Sequence, residues 1–482
     1  MRKTVSLEFR DIIKANFPGI GKNISYWKFM RHLLFGRRDK ATGLPMISQR
    51  CIAKAEDKLN ILENSNAYNA SKFLVKFQSE VMSEETFSWS NWNFKDGEAR
   101  VALVEFPQEV IDAIESESYK IMLEDRVYFD TGNKFSDKLQ KVDRELIKKE
   151  AYTYFNFSSP EAQDLLEYMN NVPVNSFSKV VAANLDATFL EALKIENPEK
   201  RHVQLEVLST IRDELQPFYK PSGKGNTVRI FPLNYSIPML QKGLRKSITK
   251  GWYEFDLASS QLAIIGKTWE IPEVQEFLKS GGKIWADLIK HYGIDAADLK
   301  KTDETKYEDI KAVLKDSLYS LIYGMCKNNL IAFLNEGLLP FGIKDAGKKF
   351  LTHPLMKSLF EVREAKIAEL NESDTAETIF GKVIKVVGGK TNDGKPTAAR
   401  KECIRGIMAQ QAQAVELYLL LPVLDLAKST KDFVITLWQH DGFSVNFTDS
   451  SKSARWINKI NQVVADRAYE LGIITKLEGG LL

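Results

Sequence analysis

The sequence predicts an α+β protein, and three stretches carry that prediction. Lys311, Lys315, Tyr319 and Tyr323 recur every four residues and run straight into Gly324. This is the spacing of one helix face, drifting only about 40° per step. Trp252-Tyr-Glu-Phe-Asp256 is short and aromatic-rich, as a buried strand should be. Phe433 to Phe447 holds two strand-like runs around Gln439-His-Asp-Gly442, and Asp-Gly is a strong hairpin signal.

The other elements follow in chain order. Residues 1–60 hold thirteen Lys and Arg against five Asp and Glu. Phe9, Phe17, Tyr26, Trp27, Phe29 and Phe35 interleave there with Lys14, Lys22, Lys28, Arg31, Arg37 and Arg38. Single-stranded nucleic acid is held by such a mixture, through phosphate contacts and base stacking. The competing expectation is a core of aromatics under a solvated basic face. Up to about residue 150, short strands such as 100–106 mix with helices such as 107–118. Residues 150–225 read as mostly helical, including 159–170 and 202–215. Behind the strand that stops at Asp256, Ser259 and Ser260 are expected to cap a helix beginning with Gln261 and Leu262. Gly388-Gly-Lys-Thr391 has part of a phosphate-loop pattern, but Ile384 stands where that pattern requires Gly, so a basic loop is the expectation.

Composition bounds the answer. With 482 residues and 44% hydrophobic content, the chain can bury two or more cores. Leu417 to Leu426 is the best apolar run; Pro422 and Asp425 interrupt it, short of the roughly 18 residues of a membrane span. Cys51, Cys326 and Cys403 lack close spacing, and the five histidines are scattered. Neither a disulfide framework nor a zinc site is suggested, and a reducing, cytoplasmic setting is expected.

The helix face with two ammonium groups at one end and two phenols at the other suits a nucleoside triphosphate, with cations for phosphates and rings for sugar and base. By itself it is more simply a cationic surface helix. Asp256 and Asp441 alter the balance, because each ends a strand. Two carboxylates at strand ends can hold a pair of divalent cations about 4 Å apart, the arrangement used for in-line phosphoryl transfer.

At these residues the chain resembles the family A nucleic-acid polymerases, the DNA polymerase I-like enzymes related to single-subunit phage RNA polymerases. Asp256-Leu-Ala-Ser-Ser-Gln-Leu262 is similar to the family's first metal motif, Asp-Tyr-Ser-Gln-Ile-Glu-Leu. Lys311 to Met325 is similar to its fingers-helix motif, Arg-x3-Lys-x3-(Phe/Tyr)-x3-Tyr-Gly, and Gln439-His440-Asp441 to its second metal motif. Asn226-Thr-Val-Arg-Ile230, Gly243-Leu-Arg245, Phe277 to Ala286, Glu377-Thr-Ile-Phe-Gly381, and Arg405 with Gln413 resemble further segments in the family's order. The resemblance covers roughly residues 205–482. Asp143-Arg-Glu145 has the spacing of an exonuclease carboxylate pair but sits in a charged helical run, so proofreading is not expected.

The resemblance implies a right-hand fold: an antiparallel-sheet palm at 226–266 and 402–482, helical fingers at 267–401, a thumb at 151–225 and a mixed N-terminal accessory domain at 1–150, with nucleic-acid binding as its expected role. It also implies residue roles. Asp256, Asp441 and the Leu257 carbonyl would bind two Mg²⁺ ions, with Mn²⁺ as an alternative. Lys315, Lys311 and Arg245 would face the triphosphate, Tyr319 and Gln261 the sugar, and Tyr323 the template base. Arg229 and Gln413 would read the minor groove of the new duplex, with Arg405 also on nucleic acid and His440 at the primer terminus. The implied partners are a DNA primer–template and nucleoside triphosphates, with replication accessory proteins and no membrane, in a phage, plasmid or mobile element.

The chain departs from the family at four points. Gln261 replaces a Glu that excludes the ribose 2′-hydroxyl, Gly442 an acid or Ser, Ala409 a minor-groove Asn and Lys311 an Arg. These put sugar selection in doubt but not the chemistry. The expected activity is a DNA-directed DNA polymerase without proofreading. The alternatives are an RNA polymerase or primase-like enzyme, and a non-catalytic replication initiator.

Overall fold

A computed structural model describes residues 4–35, 44–48, 67–82, 88–89, 101–120, 126–134, 160–221, 227–233, 235–391 and 394–482. Asp143-Arg-Glu145, Arg37, Arg38 and Cys51 lie outside the described residues. The chain forms two compact units: Met1–Asp143 with Ala182–Leu215 and Tyr235–Ile248, and Arg144–Val181 with Gln216–Asn234 and Thr249–Leu482.

The first unit mixes small antiparallel sheets with helices. Thr4–Ser6 pairs with Arg126–Tyr128, and Val101–Glu105 lies between Met46–Ser48 and Ser88–Trp89. Leu7–Asn16 is capped by the Ser6 side chain, which accepts from the Phe9 amide. Phe9, Phe17, Tyr26, Trp27 and Phe29 form the core with Phe77 and Phe129, and Phe35 packs against it. The expected stacking surface is therefore not presented by these rings. Five of the six are spent on the core because a small mixed unit needs their large apolar area inside. Arg31 is tied to Asp130 at 2.8 Å.

The second unit is built on a four-stranded antiparallel sheet of Tyr253–Leu257 (β1), Phe433–Trp438 (β2), Gly442–Phe447 (β3) and Leu477–Leu481 (β4), in the order β2-β3-β1-β4. Directly opposed aromatics hold it: Phe255 on β1 stacks on Phe443 of β3 at 5.0 Å between ring centroids. Helices Ser260–Thr268 (α1), Glu304–Ile322 (α2) and Ala398–Ser429 (α3) carry the other candidate residues.

Two local features differ from the sequence reading, and a third bears out the expected loop and adds what holds it. Ser259 precedes α1 in a left-handed conformation, φ 50°, and makes no capping hydrogen bond; a side chain caps from an extended backbone, which this tight strand-to-helix turn does not allow. Ser260 is the first helical residue. Next, α3 runs through Pro422 and Asp425 and is long and apolar enough to cross a membrane, but 61% of its apolar window is buried inside the protein. Pro422 cannot donate to the Tyr418 carbonyl, and Arg467 Nη1 donates to it instead at 3.3 Å. Last, Gly388-Gly-Lys-Thr391 is clamped from inside. Buried Arg400 donates to the Val386 and Gly388 carbonyls and to Asn371 and Ser373, so the segment is a stapled loop rather than an open phosphate cradle.

Candidate active site

Strand register creates the site. Gly442 on β3 pairs with Asp256 on β1, and the Leu257 amide donates to the Asp441 carbonyl at 2.9 Å. Asp256 and Asp441 therefore share one end of the sheet. Gly442 makes that approach possible: a Cβ there would lie 2.5 Å from the Phe255 carbonyl oxygen and 3.0 Å from Asp256 Oδ1. Glycine at this position thus has a packing cause. The connecting turn is strained. Asp441 N donates to the Gln439 carbonyl at 3.1 Å across His440, whose φ is 73°, a γ-turn-like geometry rare outside glycine.

Electrostatics at the sheet end favour a cation. Burial, then the like charge of Asp441, pushes the Asp256 carboxyl up to about 7, against the pull of Lys315. The Asp256 side chain is nonetheless exposed to solvent, where an ion can reach it. Glu254, two residues back on the same strand face, adds to the repulsion. Among the described residues no three His, Cys, Asp or Glu gather into a cage. Mg²⁺ commonly uses one or two carboxylates completed by substrate phosphates and water, and an exposed Asp256 repelled by a half-buried Asp441 fits such an ion.

The face of α2 lines up beside them. Asp303 caps the helix start by accepting from the Lys306 amide. The helix ends with Met325 N donating to the Ser320 carbonyl and Gly324 N to that of Leu321, with Gly324 at φ 81°, a Schellman closure. Tyr323 is the cap residue of that closure. Buried Arg363 donates to the Leu321 and Met325 carbonyls at 3.1 and 2.9 Å, fixing the helix end that carries Tyr323. Lys315 is exposed, its ammonium 5.6 Å from the Tyr319 ring centre. Burial and the nearby acids raise the Tyr319 phenol, so it stays protonated as a donor. Lys311 is engaged one turn away with Glu308 at 3.0 Å.

A buried relay ties three of the residues together. Tyr323 Oη donates to Gln261 Oε1 at 2.6 Å, and Gln261 Nε2 donates to Glu416 Oε1 at 2.6 Å. Arg229 grips the other Glu416 oxygen through Nη2 at 2.7 Å and Nε at 3.2 Å. Gln261 and Glu416 are 3% and 1% exposed. Burial pushes the Glu416 carboxyl up, and the Arg229 guanidinium opposes it. Gln413 accepts from the Thr227 hydroxyl, which also receives the Arg229 amide. Burial holds the His440 ring down at about 4, with Arg229 contributing, so the ring is neutral near pH 7; it meets Phe231 at 5.6 Å.

Arg405 lies against Gly324, where a Cβ would be 2.9 Å from its Cγ. With Tyr319, Tyr323, Asn329 and Phe333 it lines a cleft of about 590 Å³. Leu257 is buried on β1. Arg245 belongs to the first unit, on the helix Lys242–Ile248, where it donates to the Leu240 carbonyl. Glu416 and Arg363 are absent from the sequence reading, and Glu254 and Thr227 stand there only inside quoted segments, with no role. Glu416 had a readable signal as the lone acid in the apolar stretch Ala412 to Leu421, since a charge there needs a partner.

No protein-family model and no curated protein matches the chain. Among solved structures it is similar to the POL domain of Pol1 from M. smegmatis in complex with DNA primer-template and dNTP. The identity is 10% and the TM-score 0.44, over 70% of this chain and 65% of that one. The chain thus covers less than two thirds of that neighbour. A likeness this distant carries no argument about activity, which rests on the residues themselves.

Proposed function

We propose that the chain is a template-directed nucleotidyltransferase, in its simplest form a DNA-directed DNA polymerase without proofreading. The reading is supported above all by the register in which Gly442 pairs with Asp256, so that two carboxylates share a sheet end beside Lys315. Asp256 and Asp441, with the Leu257 carbonyl, would hold two Mg²⁺ ions, or Mn²⁺ in their place. Ions held there would supply Lewis acidity to the primer hydroxyl and charge neutralisation to the leaving pyrophosphate.

The chain's own residues do the rest. Lys315 gives the triphosphate a point charge on an exposed arm. Lys311 joins it by exchanging Glu308 for phosphate. Tyr319 donates toward the sugar. Tyr323 and Arg405, at the 590 Å³ cleft, face the template base. Arg229 and Gln413 donate to purine N3 and pyrimidine O2, acceptors present in every base pair. His440, neutral near pH 7, contacts the primer terminus without adding charge. In this reading 226–266 and 402–482 form the palm, 267–401 the fingers and 151–225 the thumb, and 1–150 is an accessory domain.

Gln261 keeps a second reading alive. Its amide can donate to a ribose 2′-oxygen where the family's Glu excludes that hydroxyl, which favours an RNA polymerase or primase-like activity. Extension of a labelled primer–template with Mg²⁺, comparing dNTPs with rNTPs and wild type with Asp441→Ala, separates the possibilities. Extension that Asp441→Ala abolishes supports the polymerase, and the preferred nucleotide decides the sugar. Duplex binding by wild type with no extension, primed or unprimed, leaves a replication initiator.

A further inference from the structure

Glu416 is the most deeply buried acid beside the candidate site, and nothing in the chemistry above uses it. Its two oxygens serve different masters. Oε1 takes the Gln261 amide, whose own oxygen takes the Tyr323 hydroxyl; Oε2 takes Nε and Nη2 of Arg229. An ionised carboxylate only accepts, so it fixes which way round the Gln261 amide sits: nitrogen inward, oxygen toward Tyr323. The same carboxylate holds Arg229 side-on by Nε and Nη2. Nη1 is not used in that grip, and the Arg229 side chain is 25% exposed.

We propose that Glu416 is a positioning residue that sets the Gln261 amide and the Arg229 guanidinium from one buried point, coupling sugar selection in the incoming nucleotide to the grip on the primer-terminal base pair. The inference rests on the polymerase reading. No direct contact between Glu416 and substrate is needed. A carboxylate is required because an amide at 416 has a single acceptor oxygen and brings two donors, so it cannot serve Gln261 and Arg229 together. Its oxygen can satisfy only one arm and its NH2 opposes the donors of the other, so neither arm keeps its present setting.

The test is Glu416→Gln, read as two ratios: kcat/KM for a dNTP over the matching rNTP, and extension from a paired over a mismatched terminus. Both are expected to fall about tenfold, the scale of one lost hydrogen bond. The first effect should vanish in a Gln261→Ala background and the second in Arg229→Ala. A merely structural Glu416 would lower rates uniformly and leave both ratios alone. If wild type extends primers and folded Glu416→Gln keeps both ratios within twofold, the inference falls while the polymerase reading stands. If wild type extends nothing, the reading falls and the inference with it. Should Glu416→Gln fail to fold, Tyr323→Phe removes only the outer hydroxyl of the relay. It is expected to lower the sugar ratio and leave the mismatch ratio in place, and an unchanged sugar ratio would overturn the proposal.

Discussion

Gly442→Ala is the smallest change that should disable the site. The added Cβ would sit 2.5 Å from the Phe255 carbonyl oxygen and 3.0 Å from Asp256 Oδ1. A relaxed carbon–oxygen contact between neighbouring strands is about 3.3 Å, so β1 and β3 must separate by about 0.8 Å at this point. The obstacle on one side is backbone, which cannot swing away as a side chain would. Overpacking of this kind costs about 1–3 kcal/mol, small enough for the protein to remain folded. The same displacement parts Asp256 from Asp441, and a shift of about 1 Å in a reacting constellation can lower the rate about 10²-fold. Gly480→Ala is the matched control: it lies on β4, pairs with Glu254, and its Cβ would meet nothing within 4 Å. Urea unfolding and single-turnover primer extension should show Gly442→Ala modestly destabilised and about 10²-fold slower, with Gly480→Ala near wild type. Extension by Gly442→Ala within threefold of wild type would refute the view that close strand approach sets the carboxylate pair.

Two further outcomes are expected. Arg363→Met removes the charged donors that close the end of α2 on the Leu321 and Met325 carbonyls; it should lower unfolding free energy by about 3 kcal/mol and raise nucleotide KM through Tyr323, whereas a loss below about 0.5 kcal/mol would show that the Schellman closure suffices alone. Glu117 is buried and takes both the Ser6 amide at 2.7 Å and its hydroxyl at 2.5 Å, yet burial outweighs these and Arg126 to hold its carboxyl above the ordinary 4.5. A raised folded value means the folded state binds the extra proton, so this contribution is complete below the unfolded pKa and is lost as pH rises through the folded one. Stability against pH should therefore fall less steeply in Glu117→Gln than in wild type above pH 4.5, and superimposable curves would sink the assignment.

The legible parts of this chain are those whose cause is local. A hairpin announced by Asp-Gly forms at Asp441-Gly442, and four residues spaced by four do lie on one helix, with Gly324 supplying the left-handed residue that closes it. The first-unit aromatics were readable only as alternatives, because a Phe beside a Lys is equally a core residue or a stacking platform. What decides is how much other apolar surface the unit can bury, a property of the assembled core. Ser259 misled for a related reason. Its residue type promises a cap, but the backbone angle imposed by a strand turning at once into a helix withdraws the hydroxyl from use.

The relay through Glu416 marks the limit of local reading. Glu416 lies 155 residues from Gln261 and 187 from Arg229, so no window along the chain could contain the network. Read alone, Gln261 is a neutral amide free to meet a hydroxyl. Read with its neighbours, the amide is engaged at both ends and lies 3% exposed. One amide hydrogen and one lone pair remain for any sugar, and each is held in a direction set elsewhere. The carboxylate of this network thus lies one residue further inward, where an arginine can offset the cost of burying it. On these contacts the charge sits on another helix, with the Gln261 amide between it and Tyr323.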